Sequence, residues 1–249
     1  MVCAQISIVI PVYNETQRID NSLFELKDYF SNFKYDYEII FVDDGSSDNT
    51  AEKLEKFINN NLLKKFKLLK LPKNCGKGAA VKHGMLNAMD NSDLYFFMDA
   101  DLSTPLSEIN KFIEYYETHK TDILIGSRSL ADSNVVVHQK IYRELMGKIF
   151  NKILKILIFT EFIDTQCGFK LFSPRARKKI FKNLKIQRFA FDVEIVFLAK
   201  KYNISIEELP VTWVNKENSR VHIIKDSFNM LCDVIKLQIN WLLGKYEKK

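Results

Sequence analysis

The strongest constraint in this sequence is an alternation that fills its first half. Short β-branched and aromatic runs, Ile6–Val12, Tyr37–Val42, Phe66–Leu71, Leu94–Met98 and Asp122–Ile125, alternate with longer amphipathic segments, Gln17–Phe33, Thr50–Leu63, Gly78–Met89 and Leu106–His119. The short runs are apolar on both faces. That pattern predicts an α/β domain with a parallel sheet buried between two layers of helices. Up to about residue 128 the expected architecture is a doubly wound domain of the nucleotide-binding type. Ligands of such sheets bind beyond the carboxyl ends of the strands, so the polar residues at those ends come first.

Four polar clusters fall there. Pro11-Val12-Tyr13-Asn14-Glu15 follows the first strand, and Asp43-Asp44-Gly45-Ser46-Ser47-Asp48 the second. Asp99-Ala100-Asp101 follows the fourth, and Gly126-Ser127-Arg128 the fifth. One aspartate at a strand end is usually a turn former or helix cap. Four clusters along one edge ask for more, and the Asp99/Asp101 pair most of all, because two carboxylates one residue apart repel unless a cation lies between them. Oxygen donors beside a phosphate-bearing ligand suit Mg²⁺ or Mn²⁺.

The usual nucleotide motifs are missing. The first strand is not followed by G-x-G-x-x-G, and Gly76-Lys77-Gly78 lacks the rest of a Walker A loop. That segment can still open a helix and offer backbone N–H groups and one lysine to an anion. The cysteines (Cys3, Cys75, Cys167, Cys232) are scattered and no H-E-x-x-H occurs, which argues against a zinc site or a disulfide framework. No signal peptide is legible at the N-terminus. The longest apolar stretch, Ile149 to Ile163, is too short and too charged to span a bilayer.

Beyond residue 128 the pattern changes. Ser129–Val137 reads as a polar loop and Ile141–Phe159 as an amphipathic helix with Lys148, Lys152 and Lys155 on one side. Further helices are expected at Arg175–Leu184, Ala190–Tyr202 and Lys225–Leu243, with a Pro210-kinked strand over Ile204–Trp213. One domain spanning 1–249 is the simplest account, with 1–128 as a nucleotide-binding half and 129–249 as a helical C-terminal elaboration. Net charge is only +6, yet residues 140–185 hold twelve Lys and Arg against three acids. Such a stretch faces something anionic or forms a solvated helical face.

In combination these motifs are specific. Pro-Val-Tyr-Asn-Glu, Val-Asp-Asp-Gly-Ser-Ser-Asp, Asn-x-Gly-Lys-Gly and Asp-Ala-Asp, in this order, resemble the family 2, inverting glycosyltransferases of GT-A type. Gly126-Ser127-Arg128, Asp164-Thr165-Gln166-Cys167-Gly168-Phe169-Lys170-Leu171-Phe172, Arg188-Phe189-Ala190-Phe191-Asp192-Val193-Glu194 and Val211-Thr212-Trp213 narrow the likeness to the dolichyl-phosphate β-glucosyltransferases. The resemblance runs from about residue 5 to the end.

It implies a GT-A nucleotide-diphospho-sugar transferase fold that moves glucose from UDP-glucose to a polyprenyl (dolichyl) phosphate. Pro11, Tyr13, Glu15, Asp43 and Asp44 would cradle the uridine, with Lys77 near the nucleotide. Asp99 and Asp101 would hold Mg²⁺ or Mn²⁺ on the diphosphate. Asp101, Arg128 and Arg143 are the implied catalytic residues, and Asp164, Gln166, Lys170, Asp192, Glu194 and Arg220 the acceptor and sugar contacts. For Asp164, Gln166, Asp192 and Glu194, structural hydrogen bonding at helix starts is an equal alternative. Where related mannosyl enzymes often carry a Gln two positions after the second Asp, this chain has Ser103, so the likeness supplies no third protein ligand.

A monoalkyl phosphate has its second pKa near ~6 and carries about −1.5 to −2 charge at neutral pH. It is a nucleophile without a base; the protein must hold two anions together, and arginine forks suit that task. The alternatives are another nucleotide sugar such as GDP-mannose, or a glycan hydroxyl acceptor. A hydroxyl would need a general base, Asp192 or Glu194. No nucleic-acid motif occurs. Relatives commonly carry a transmembrane anchor, and none is legible here. The expected location is therefore cytoplasmic and peripheral to a membrane, with residues 141–159 lying in the interface plane or else packed on the domain.

Overall fold

Alternating side chains decide the layering of this molecule. Along β1 (Gln5–Val12), Ile6, Ile8 and Ile10 enter one hydrophobic core and Val9 the other. β2 (Asp36–Asp43) does the same, with Ile39 and Phe41 on one side and Ile40 and Val42 on the other. A strand presents successive residues to opposite faces, so strands apolar at every position require two covered faces. The computed structural model describes residues 5–60, 65–137, 162–216 and 223–247.

The remaining elements follow in chain order. They are α1 (Ile19–Ser31), α2 (Thr50–Asn60), β3 (Phe66–Lys70), α3 (Lys77–Asn87), β4 (Leu94–Met98), α4 (Glu108–His119), β5 (Ile123–Ser127) and β6 (Asn134–Val137). Then come β7 (Phe169–Phe172), α5 (Pro174–Asn183), α6 (Phe191–Tyr202), β8 (Ile206–Pro210), β9 (Thr212–Val214) and α7 (Ile223–Leu242). Seven strands form one sheet in the order β3-β2-β1-β4-β7-β5-β8. All its pairings are parallel except those of β7, which runs antiparallel between β4 and β5. Residues of α1 and α4 build the core on one face, those of α3, α5, α6 and α7 the core on the other.

Local signals explain the helices. α1 buries Ile19, Leu23, Leu26 and Phe30, a spacing of three and four that makes one helical stripe. α5 begins where Ser173 accepts from the Ala176 amide (3.1 Å) and Pro174 takes the first position. α6 is buried nearly all round, as expected of a helix enclosed by α5, α7 and the sheet.

Three expectations are corrected. The loop over Ser129–Val137 ends in β6, because Asn134, Val135 and Val137 pair in parallel with β9 as a separate two-stranded sheet. The strand over Ile204–Trp213 is two strands in two different sheets. Pro210 closes β8 opposite Ser127, and the chain then turns to β6. β7 was hidden inside the Asp164–Phe172 motif; it is four residues long and buried on both faces. The basic stretch is also read differently. Arg177 points inward, donating to the Met85 and Ala88 carbonyls and pairing with Asp90. Arg175 pairs with Asp122, and Lys179 and Lys182 with Glu247. These charges fasten helices. The helix expected at 141–159, with Arg143, and Arg220 and Cys3 lie outside the described residues.

Candidate active site

The carboxyl ends of β1, β2 and β4 open on a cleft of about 760 Å³. Pro11, Tyr13, Glu15, Asp44, Lys77, Asp99 and Asp101 line it, so seven of the residues singled out from the sequence meet in one place.

The loop after β1 is stitched to the loop after β2. The Asn14 amide oxygen accepts from the Ser47 backbone N–H (2.8 Å), and the Asn14 N–H donates to Ser46 Oγ (2.8 Å). Asn14 itself sits at φ 53, a left-handed conformation that asparagine tolerates better than most residues. The Glu15 N–H donates to Thr50 Oγ1 (2.7 Å), and Arg18 grips the Glu15 carboxylate with two parallel bonds of 2.8 and 2.7 Å. The result is a rigid wall, with Glu15 held by an arginine in the cleft.

Asp43 and Asp44 part company. Asp43 stands behind the cleft and accepts from the Ser46 amide and hydroxyl. Asp44 accepts from the Cys75 and Gly76 amides at 2.7 and 2.8 Å, just ahead of α3. Two amides ahead of α3, those of Cys75 and Gly76, are therefore filled by this chain's own carboxylate, and the Ala79 N–H goes to the Gln187 carbonyl (2.9 Å). Burial pushes the Asp44 carboxyl up, opposed by the two amides. Gly76 is required here: its φ is +104, and a Cβ would lie 2.5 Å from the Gln187 carbonyl oxygen.

Asp99 and Asp101 end β4. Lys77 Nζ lies 2.6 Å from Asp99 Oδ1, and Asp101 accepts from the Ser103 N–H at 2.9 Å. Burial, reinforced by the neighbouring Asp99 charge, raises the Asp101 carboxyl above its ordinary range. Among the described residues no group of three or more His, Cys, Asp or Glu side chains is gathered for a metal. Two oxygen-donor side chains on the floor of an open cleft nevertheless fit a hard divalent cation that takes its other ligands from a diphosphate.

Below the floor lies a second pair. Lys170, fully buried on β7, donates to the Cys167 carbonyl (2.6 Å) and to Asp192 (2.5 Å) at the start of α6. Burial raises the Asp192 carboxyl, and Lys170 and Lys77 pull it back. Lys77 is thus flanked by Asp99 above and the Asp192 charge below. Lys170, expected as an acceptor contact, is corrected: it is fully buried, with its ammonium held by Asp192 and the Cys167 carbonyl.

Arg128 leaves β5 and is clamped by Asp164, Nε to Oδ2 at 2.6 Å and Nη2 to Oδ1 at 2.7 Å, with its own N–H adding a third bond of 3.0 Å. The guanidinium also lies over the Trp213 ring, 5.4 Å from its centroid. Asp164 is held in turn through its N–H by Glu208 (2.6 Å). The arginine keeps Asp164 below its ordinary pKa, overcoming the opposing effect of burial. Asp99, Gly168 and Trp213 border one small recess that joins this corner to the cleft floor. Gln166 stands nearby with its Nε2 buried and without a partner among the described residues.

Glu194 is elsewhere. Two residues along α6 from Asp192 it faces another side of the helix, where it accepts from the Lys185 and Ile186 amides (3.0 and 2.7 Å) and the Tyr246 hydroxyl (2.5 Å). It fastens the segment before α6 and the segment after α7. As a base or acceptor contact it is corrected, since its oxygens are committed and buried. The cleft is completed by residues given no role in advance. These are Arg18, Asn74, Arg188 and Phe189 with Asn215, Lys216, Asp226 and Asn229. Arg188-Phe189 lies inside a motif already noted; the C-terminal four gave no local signal, because only the turn after β9 and the start of α7 bring them here.

Residues 7–181 match the family model for glycosyl transferase family 2. The chain belongs to that family, and its mostly parallel sheet between two helical layers is the GT-A fold. Two relatives carry a more particular name. The dolichyl-phosphate beta-glucosyltransferase of Dictyostelium discoideum is 35% identical over 98% of this chain and 77% of its own length. That of Saccharomyces cerevisiae is 36% identical over 97% and 76%. Among solved structures, glucosyl-3-phosphoglycerate synthase from Mycobacterium tuberculosis, in complex with Mn²⁺, uridine diphosphate and glucosyl-3-phosphoglycerate, superposes with a TM-score of 0.64. It is 16% identical and covers 95% of this chain and 79% of that one.

Proposed function

We propose that this chain transfers glucose from UDP-glucose to a polyprenyl phosphate with inversion, giving a β-linked glucosyl phosphate. The observation that carries the reading is a two-carboxylate cleft floor, with a clamped arginine stacked on the Trp213 that borders a small recess beside Asp99, in a chain whose relatives are named dolichyl-phosphate beta-glucosyltransferases.

In this reading the uridine lies against Pro11, Tyr13 and Glu15, and the diphosphate reaches the floor at Asp99 and Asp101. A Mg²⁺ or Mn²⁺ ion held by these two carboxylates would supply neutralisation of the charge on the leaving UDP. Lys77 fixes the Asp99 carboxylate. Arg128, oriented by Asp164 and Trp213, faces the acceptor phosphate and lowers its repulsion from the diphosphate. A phosphate oxygen attacks the anomeric carbon as the bond to the UDP oxygen breaks, and no side chain has to remove a proton. The commitment of Asp192 to Lys170 and of Glu194 to Tyr246 supports this base-free chemistry over a hydroxyl acceptor. The work is positioning and electrostatics.

A release assay across UDP-glucose, GDP-mannose and other nucleotide sugars, with and without polyprenyl phosphate and Mn²⁺, tests the proposal. UDP-glucose should be turned over only with the lipid phosphate and the cation present. Turnover indifferent to lipid phosphate would refute the acceptor, and preference for another nucleotide sugar would refute the donor.

A further inference from the structure

α7 is apolar on two opposite faces. Met230, Val234, Leu237 and Trp241 pack into the core shared with α6. On the opposite side Phe228, Ile235, Ile239, Leu242 and Leu243 are exposed, Leu242 at 83% and Phe228 at 66%. At 100° per residue these five fall within about 100° of one another. A soluble helix normally turns charged or polar side chains to this side. Here the stripe runs about 22 Å at 1.5 Å per residue. No described helix is long and apolar enough to cross a membrane, α7 included.

The geometry points to this stripe as the surface on which the protein rests in the head-group region of an anionic bilayer, an inference that presupposes the lipid-phosphate acceptor proposed above. Three observations favour a bilayer. First, the N-terminal end of α7 reaches the cleft: Asp226 and Asn229, on other faces of the turn that carries Phe228, line it. A membrane lying along the stripe is thus one helix diameter, ~10 Å, from the cleft wall, a short way for a phosphate on a membrane-embedded chain to travel. Second, the acid bordering the stripe is compensated. Asp233 pairs with Lys236 at 3.7 Å, and the exposed Lys245 lies just beyond the end of the stripe. Third, the stripe is too small for a second copy. A helix about 10 Å wide and 22 Å long offers roughly 200 Å², against the ~800 Å² that each partner of a stable protein pair buries. A bilayer sets no such threshold, because a helix in the interface plane gains from each apolar side chain it inserts.

The test uses the full chain and phosphatidylcholine/phosphatidylserine (3:1) vesicles at low salt. The wild type is expected to co-sediment. A triple variant, Ile235→Glu, Ile239→Glu and Leu242→Glu, should lose at least ten-fold in vesicle binding, and the single variant Leu242→Ser should show an intermediate loss. Leu242→Ser changes the most exposed of these side chains and leaves the fold undisturbed, so it keeps the test decisive if the triple variant misfolds. With a short, water-soluble prenyl phosphate as acceptor both folded variants should turn over at the wild-type rate. Equal sedimentation of the single variant and the wild type would overturn the inference, as would a wild-type dimer that Leu242→Ser converts to monomer. Failure of the wild type to glucosylate even the short acceptor would instead strike the proposed function.

Discussion

Gly168 shows how tightly single residues are constrained around the cleft floor. A Cβ there would lie 1.9 Å from Asp99 Oδ2, and the Gly168 carbonyl accepts from the Asp99 N–H. Gly168→Ala must therefore push the Asp99 carboxylate off Lys77. A displacement of about 1 Å at a reacting centre costs about a hundred-fold, so kcat should fall by about that much while the thermal midpoint moves little. Wild-type turnover by this variant would refute the placement of Asp99. At Arg128 the partner is the carboxylate of Asp164. Asp164→Asn removes one side of a pair whose loss costs ~3–5 kcal/mol when fully buried; Arg128 keeps 29% of its side chain in solvent, which favours the lower end. Because the folded pKa of Asp164 lies below 3.8, its contribution to stability is present above that value and is lost as pH falls through the depressed one. Denaturant titrations should show a steeper acid loss in the wild type than in Asp164→Asn; parallel slopes would refute the argument. Cys167 carries the opposite sign of shift, with burial pushing its thiol up to about 12. It should resist alkylation at pH 8 until the protein unfolds, as mass spectrometry of alkylated peptides will record.

At the scale of elements, α6 divides two kinds of work between two acids two residues apart. Asp192 meets Lys170 beneath the cleft, and Glu194 ties down the Lys185 amide and Tyr246. Glu194→Gln should cost ~1–3 kcal/mol, the usual range for unsettling a buried hydrogen-bonded group, and leave kcat per folded molecule unchanged. A fall in kcat without loss of stability would return Glu194 to the site. The same helix shows what the sequence made legible. Its place, and those of β1 to β4 and α1 to α4, were readable because each is a continuous apolar or amphipathic run between polar ends. The facing of Asp192 and Glu194 was not, because their directions depend on where α5, α7 and the chain ends pack. β7 was unreadable for a related reason. Phe169–Phe172 is three apolar residues and one buried lysine, and Asp192 with the Cys167 carbonyl makes a lysine tolerable there. Of the site, the residues at parallel strand ends were found early, since parallel strands place those ends on one edge. Asn215, Lys216, Asp226 and Asn229 reach it by tertiary folding alone.

At the scale of the whole molecule, the strand order carries a consequence for how the chain becomes a protein. β4 and β5 are neighbours in sequence but never touch; β7 fills the place between them, and β8 closes the far side of β5. The division into halves at residue 128 therefore runs through the middle of one sheet. A nascent chain that has emerged as far as Ser127 owns β1 to β4 as a parallel block, with β5 lacking both of its partners. The acidic floor at Asp99 is likewise incomplete until the ribosome has delivered Gly168, whose carbonyl receives the Asp99 amide. Fragments ending near residue 128 should give no cooperative transition in urea and broad amide spectra, whereas fragments extended through β8 should melt cooperatively. A sharp transition from the shorter fragment would contradict this order of assembly. The family's cleft is thus made late in synthesis, by an antiparallel strand that must find its slot between two partners already waiting for it.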